Sequence, residues 1–174
     1  VDPEFERLGY QKGRADPSRE VMNTILLMRA VAWEKKDSMG ISMSSPVWER
    51  VEDWLRRGYE YGGGMELVAG YPETDTRTRH GVSINMSANP HECRLTYLPI
   101  QRSGEKTKMR EWWKVGDLPF RGTTVFDDHP FDDRTVCRDV EVVVRIFRDF
   151  FDNHDLTESS LTDFISVWDA KPRS

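Results

Sequence analysis

The sequence predicts an α+β domain: an antiparallel sheet of about four or five strands, packed with one helix from the N-terminal half and two C-terminal helices. Three observations carry this. The middle of the chain alternates apolar and polar residues, as half-buried strands do. Helix-period apolar stripes lie on both sides of that region. No alternation of strand and helix links them, so a parallel sheet is not expected.

The chain has 174 residues, enough for one domain with a core of its own. Six Trp, eight Phe and five Tyr would be costly to leave in water, which implies a packed interior. The apolar runs are only a few residues long, so no membrane span and no secretory segment is expected. The opening "VDPEF" reads as a translated cloning junction, and the polar residues after it show no period. Residues 1–21 are therefore expected to be vector-derived or flexible, with a single domain over 22–174. Phe5, Leu8 and Tyr10 leave open a short native element there.

Thr24 to Trp33 is a near-continuous apolar run suited to a buried strand, and "EKKDSMG" follows as a turn. Ser45 then offers an N-cap and Pro46 a first helical position. Val47, Val51, Trp54 and Leu55 fall on one helix face, and Gly62 to Gly64 end the helix. Three strands follow, over Met65–Tyr71, His80–Ala88 and Glu92–Pro99, the last two joined as a hairpin through "ANPHE". "KMREWWKVGD" is ambiguous, and "FRGTTVFDD" supplies one more strand. Val140, Val143, Val144, Phe147, Phe150 and Phe151 form the clearest amphipathic helix in the chain. After "DNHD", Thr157 is expected to cap a second helix whose stripe is Leu161, Phe164, Ile165 and Trp168.

The most suggestive stretch for chemistry is "FDDHPFDDRTVC", where Asp127, Asp128, Asp132 and Asp133 flank His129. These are ligand types for a hard cation. Their spacing argues against a shared site, because adjacent side chains in extended backbone point to opposite faces. The alternation and the bend glycine of a calcium loop are also missing. Turn formation and capping by Asp are the ordinary reading. His80, His91, His129 and His154 form no metal-binding spacing, and no nucleophile elbow or phosphate loop occurs. Cys93 and Cys137 read as buried free thiols, with a disulfide left open.

Charge is unevenly spread. From Phe126 to the end there are twelve Asp or Glu against six Lys or Arg, while the rest of the chain is near neutral. One reading is a solvated helical face; the other is a surface that steers a basic partner into contact. Phosphate would be repelled, so nucleic acid is not an expected ligand. In "REWWK", Trp112 and Trp113 could anchor a partner or pack in the core.

The segment "DRTVCRDVEVVVRIFRDFFDNHDLTESSLTDFISVWDAKPR" resembles the C-terminal part of immunity proteins encoded beside bacterial polymorphic or contact-dependent toxins. The likeness covers about a quarter of the chain and rests on the acidic lead-in, "IFRDFF", "DLTE" and "SVWDAKPR". It implies a non-enzymatic α+β protein that binds and neutralises one cognate toxin. It carries over no catalytic residue and no cofactor. The resulting expectation is a cytoplasmic toxin inhibitor whose partner, with a basic groove such as a nuclease has, meets Asp127, Asp128, Asp132 and Asp133, with Trp112 and Trp113 as anchors. The alternatives are a metal-dependent hydrolase using residues 127–133, or a scaffolding module with a constitutive partner; a homo-oligomer is compatible with any of these.

Overall fold

A computed structural model describes residues 25–34, 40–70, 81–99, 108–114, 119–169 and 171. The expectation for residues 1–21 and most of the "EKKDSMG" turn lie outside the described residues.

Strand β1 (Ile25–Ala32) buries Leu26, Met28, Ala30 and Ala32 on one face, and pairs on one side with the short β2 (Ile41–Ser44). Helix α1 (Trp48–Tyr61) then crosses to the other side of β1, where β3 (Gly63–Gly70) begins with no loop between helix and strand. β4 (Gly81–Asn89) and β5 (Glu92–Leu98) continue as a meander, turning through Pro90 and His91 as the "ANPHE" spacing predicts. β6 (Arg110–Trp112) follows β5, and β9 (Phe164–Ser166) closes that edge. The order is β2-β1-β3-β4-β5-β6-β9, with every neighbouring pair antiparallel. A separate two-stranded ribbon is formed by β7 (Thr123–Phe126) and β8 (His129–Asp132). The class is therefore α+β as expected, but the sheet has seven strands where four or five were predicted. The extra strands are three or four residues long, too short for an alternation signal.

The two-residue period sorts the sheet into unlike faces. Met28, Leu67, Ile84 and Leu95 point to one side and are fully buried beneath α1 and α2 (Val140–Asn153). α1 contributes Val51, Trp54 and Leu55; α2 contributes Val143, Ile146, Phe147 and Phe150, as its apolar stripe predicts. The opposite face carries polar side chains: Arg29 with Glu66, Ser83, Asn85, Arg94 and Glu111. The β7–β8 ribbon lies over part of that face, where the Asn89 amide donates to the Val125 carbonyl (2.9 Å) and the Arg94 guanidinium stacks on Phe131 at 3.5 Å.

Three local expectations are corrected. α1 starts one residue after Val47, which is its N-cap and makes no side-chain cap bond; Ser45 and Pro46 precede it, and Val47 is exposed. Of the three glycines, only Gly62 caps the helix, while Gly63 and Gly64 already belong to β3. The second C-terminal helix shrinks to one turn, α3 (Glu158–Leu161). Beyond it Phe164–Ser166 is a strand, because β6 presents free backbone donors and acceptors that this segment satisfies. The helical stripe predicted there is broken: Phe164 is in the core and Trp168 is exposed. Among the described residues, no helix is long and apolar enough to cross a membrane.

Candidate functional site

The acidic stretch builds the β7–β8 ribbon. Phe126 pairs with His129, so Asp127 and Asp128 are the two turn residues, with φ of +48° and +63°. A two-residue turn that matches strand twist needs positive φ at both positions. Glycine and asparagine suit it best; aspartate tolerates it because its short side chain bonds locally. The turn residues thus stand at the ribbon tip, exposed, beside exposed Val125, His129 and Pro130. Asp127 is tethered only weakly, accepting from the Ser87 hydroxyl at 3.5 Å.

Asp132 and Asp133 do something else. The Asp132 carboxylate accepts from the Arg134 backbone N–H (3.0 Å), its Nε (3.0 Å) and its Nη2 (2.8 Å). Arg134 is buried and stacks on Trp113 at 4.6 Å. Asp133 accepts from the Thr124 hydroxyl (2.7 Å) and from Arg138 Nη2 (2.7 Å), and Arg138 also bonds Glu92. These two carboxylates therefore stitch the ribbon to the segment before α2, and their charge is neutralised on the spot. Of the four aspartates expected as a rim, Asp127 and Asp128 are exposed, while Asp132 and Asp133 are partly buried in ion pairs. The signal that separates the pairs was present in "DDR": Arg134 lies two residues from Asp132, within reach of a bidentate contact.

The tryptophans are withdrawn in the same way. Trp112 is 8% exposed and sits in the core facing the helices. Trp113 is half-buried beneath Arg134. Sequence reasoning passed over Val125, which is 55% exposed at the ribbon tip.

The geometry does not support the metal-dependent alternative. Two of the four carboxylates are already held by guanidinium groups. Among the described residues no three His, Cys, Asp or Glu side chains converge as a cation site. The tip instead offers two exposed carboxylates around a small apolar patch, an arrangement suited to docking against a basic surface.

The ion pairs have a consequence for acid stability. Hydrogen bonds from Arg134 and Arg138 hold the carboxyls of Asp132 and Asp133 below the ordinary aspartate value of about 3.9. A depressed folded pKa stabilises above the unfolded value and is lost as pH falls through the folded one. The Asp133 share is small, because Arg138 is half-exposed and screened by solvent. Asp132→Asn is expected to lower stability at neutral pH and to flatten its decline below about pH 4. Urea midpoints measured from pH 7 to pH 2 check this; parallel acid limbs for variant and wild type would refute the pairing.

Comparison with protein-family models gives no match, and comparison with curated proteins gives none either. Among solved structures, the fold is similar to the crystal structure of a hypothetical protein from Neisseria gonorrhoeae, with a TM-score of 0.56 and 9% sequence identity. The match covers 78% of this chain and 92% of that one. At that identity the likeness concerns the fold alone.

Proposed function

We propose that the chain is a non-enzymatic immunity protein that binds a cognate bacterial toxin and blocks it, with the β7–β8 tip as part of the contact. The observation that supports this most is the tip itself. Asp127 and Asp128 are exposed in a turn at positive φ, whereas Asp132 and Asp133 are consumed by internal ion pairs. Two exposed acids in one turn beside an exposed valine suit a contact surface better than solubility alone requires. The C-terminal resemblance points to the same partner class. The expected toxin surface is basic, as in the substrate groove of an enzyme acting on nucleic acid, and charge complementarity would speed encounter. The expected compartment is the cytoplasm, where such a toxin would act; neither nucleic acid nor membrane is a partner in this reading.

The test is complex formation with the product of the neighbouring toxin reading frame, together with protection of cells that express it. Asp127→Lys/Asp128→Lys reverses the tip charge; because lysine suits positive φ less well than aspartate, circular dichroism checks the fold, and Asp127→Asn/Asp128→Asn removes the charge while keeping the turn. Association is expected to slow about 10- to 100-fold at low salt, with a much smaller difference at high salt. Absence of any complex with wild-type protein defeats the reading. A complex whose association rate ignores the charge reversal moves the contact elsewhere and defeats the role given to the tip.

A further inference from the structure

Cys93 and Cys137 meet directly. Cys93 lies in β5 and Cys137 in the segment leading to α2, and they face one another as an isolated antiparallel bridge. Each backbone N–H donates to the other's carbonyl, at 2.9 and 2.8 Å. Residues that exchange both bonds have Cα atoms about 5.5 Å apart, within the span of a disulfide. Both are free thiols.

The two thiols are unlike in their surroundings. Both are buried in the core, Cys93 at 0% and Cys137 at 1% exposure, but only Cys137 also borders a cavity of about 390 Å³. Trp112 and Val142 give that cavity an apolar side, and on its polar side Lys114, Arg121 and Arg138 outnumber the carboxylates of Asp133 and Asp139. Arg138 is held by Asp133 and Glu92, but Lys114 and Arg121 make no ion pair with any described residue. The Cys137 thiol donates to the Asp139 carbonyl at 3.4 Å. The facing Cys137 side chain and burial push the Cys93 thiol up, while the facing Cys93 thiol pulls Cys137 down. Cys137, the more acidic of the two, is thus the one that borders the cavity, with a second thiol behind it.

We propose that this cavity is a thiol–disulfide exchange site, at which an anionic low-molecular-weight disulfide oxidises the Cys137–Cys93 pair. The carboxylates of such a molecule meet Lys114 and Arg121, which sets one of its sulfurs against Cys137. The Cys137 thiolate attacks that sulfur, forming a mixed disulfide and expelling one small thiolate. Cys93, losing its proton, then attacks the Cys137 sulfur and expels the second. The two protons released by the protein end on the two small thiolates. One small disulfide is reduced to two thiols, and two protein thiols become one disulfide. The bond ties β5 to the segment that carries Arg138 and the start of α2, beneath the β7–β8 ribbon. This site is independent of the toxin reading and is tested without any toxin.

The experiment incubates the full-length protein with glutathione disulfide and glutathione in graded ratios, quenches by alkylation under denaturing conditions and measures intact mass. The expected product has lost both alkylatable thiols and carries no glutathione. Cys93→Ser should instead retain one glutathione on Cys137, and Cys137→Ser should acquire little on Cys93. Lys114→Glu/Arg121→Glu should slow oxidation by glutathione disulfide about fivefold or more, yet leave oxidation by uncharged 2-hydroxyethyl disulfide unchanged. Wild-type protein that keeps both thiols in the most oxidising mixture overturns the exchange site. Charge reversal that slows both disulfides alike, or neither, overturns the cavity as the docking place. Because the wild-type mass is decisive by itself, a variant that misfolds does not shelter the proposal.

Discussion

Glu111→Ala is expected to destabilise the protein by about 3–5 kcal/mol, because it strands two cations at once. Glu111 is on β6 opposite Thr96, on the sheet face away from the helices, and its side chain is only 6% exposed. One carboxylate oxygen accepts from Arg94 at 2.7 Å, and the other is paired with Lys171 near the C-terminus. Arg94 is itself 12% exposed, packed over Phe131, and its Nε has no hydrogen-bond partner among the described residues. Without Glu111, Arg94 would keep a full charge in a site that water barely reaches. In a domain of this size the melting temperature should fall by roughly 6–20 °C, at about 2–4 °C for each kcal/mol. High salt should do little to the difference, since a buried pair is poorly screened. Replacing the set together, as Arg94→Met/Glu111→Leu/Lys171→Met, should restore most of the loss, because no charge is then left unpaired. Thermal melts of the three proteins decide the matter. If Glu111→Ala melted within about 2 °C of wild type, the triad would be a surface decoration.

Gly63→Ala should be comparably damaging, for a steric reason. The chain passes from α1 into β3 with no intervening loop, and Gly63 takes φ of +138° at that junction. An added Cβ would stand 2.1 Å from the Val31 carbonyl oxygen and 2.9 Å from its carbon. Those atoms belong to β1, which is hydrogen-bonded to β3 over its whole length, so they cannot move aside without opening the sheet. The expected loss is roughly 3–5 kcal/mol, combining an unfavourable backbone conformation with overpacking. Gly122→Ala is the matched control. Gly122 also has positive φ, at +110°, but no atom of the described residues lies within 4 Å of its Cβ position, so only the conformational cost of about 1 kcal/mol should appear. Urea titration of both variants separates the terms. Equal shifts in midpoint would mean that the close approach at Gly63 is relaxed at no cost.

These predictions mark where sequence reading stops. The stripe Val143, Phe147, Phe150 was legible because a helix repeats one face every three to four residues and α2 runs for fourteen. The same logic failed at Phe164, Ile165 and Trp168. Over so short a stretch helical spacing is easily met by accident, and the strand there exists because β6 left an edge to be paired. The acidic site divides in the same way. That Asp127 and Asp128 form a turn is a local matter, settled by their neighbours in the chain. That Asp132 and Asp133 are neutralised depends on where Arg134 and Arg138 are carried. For Asp133 this includes a bond to a residue on β7 and a shared arginine that reaches Glu92 on β5.

From the chain alone came the α+β class, the helix α2, the meander β3-β4-β5 and the acidity of the final third. Each follows from a period or a composition, which neighbouring residues express without reference to the rest of the molecule. Only the tertiary structure decided which acids remain free, that Trp112 is core, that Glu111 holds Arg94 and Lys171, and that Cys93 faces Cys137. Those facts join residues distant in sequence, and their energies arise from burial and pairing that exist only once the sheet has assembled.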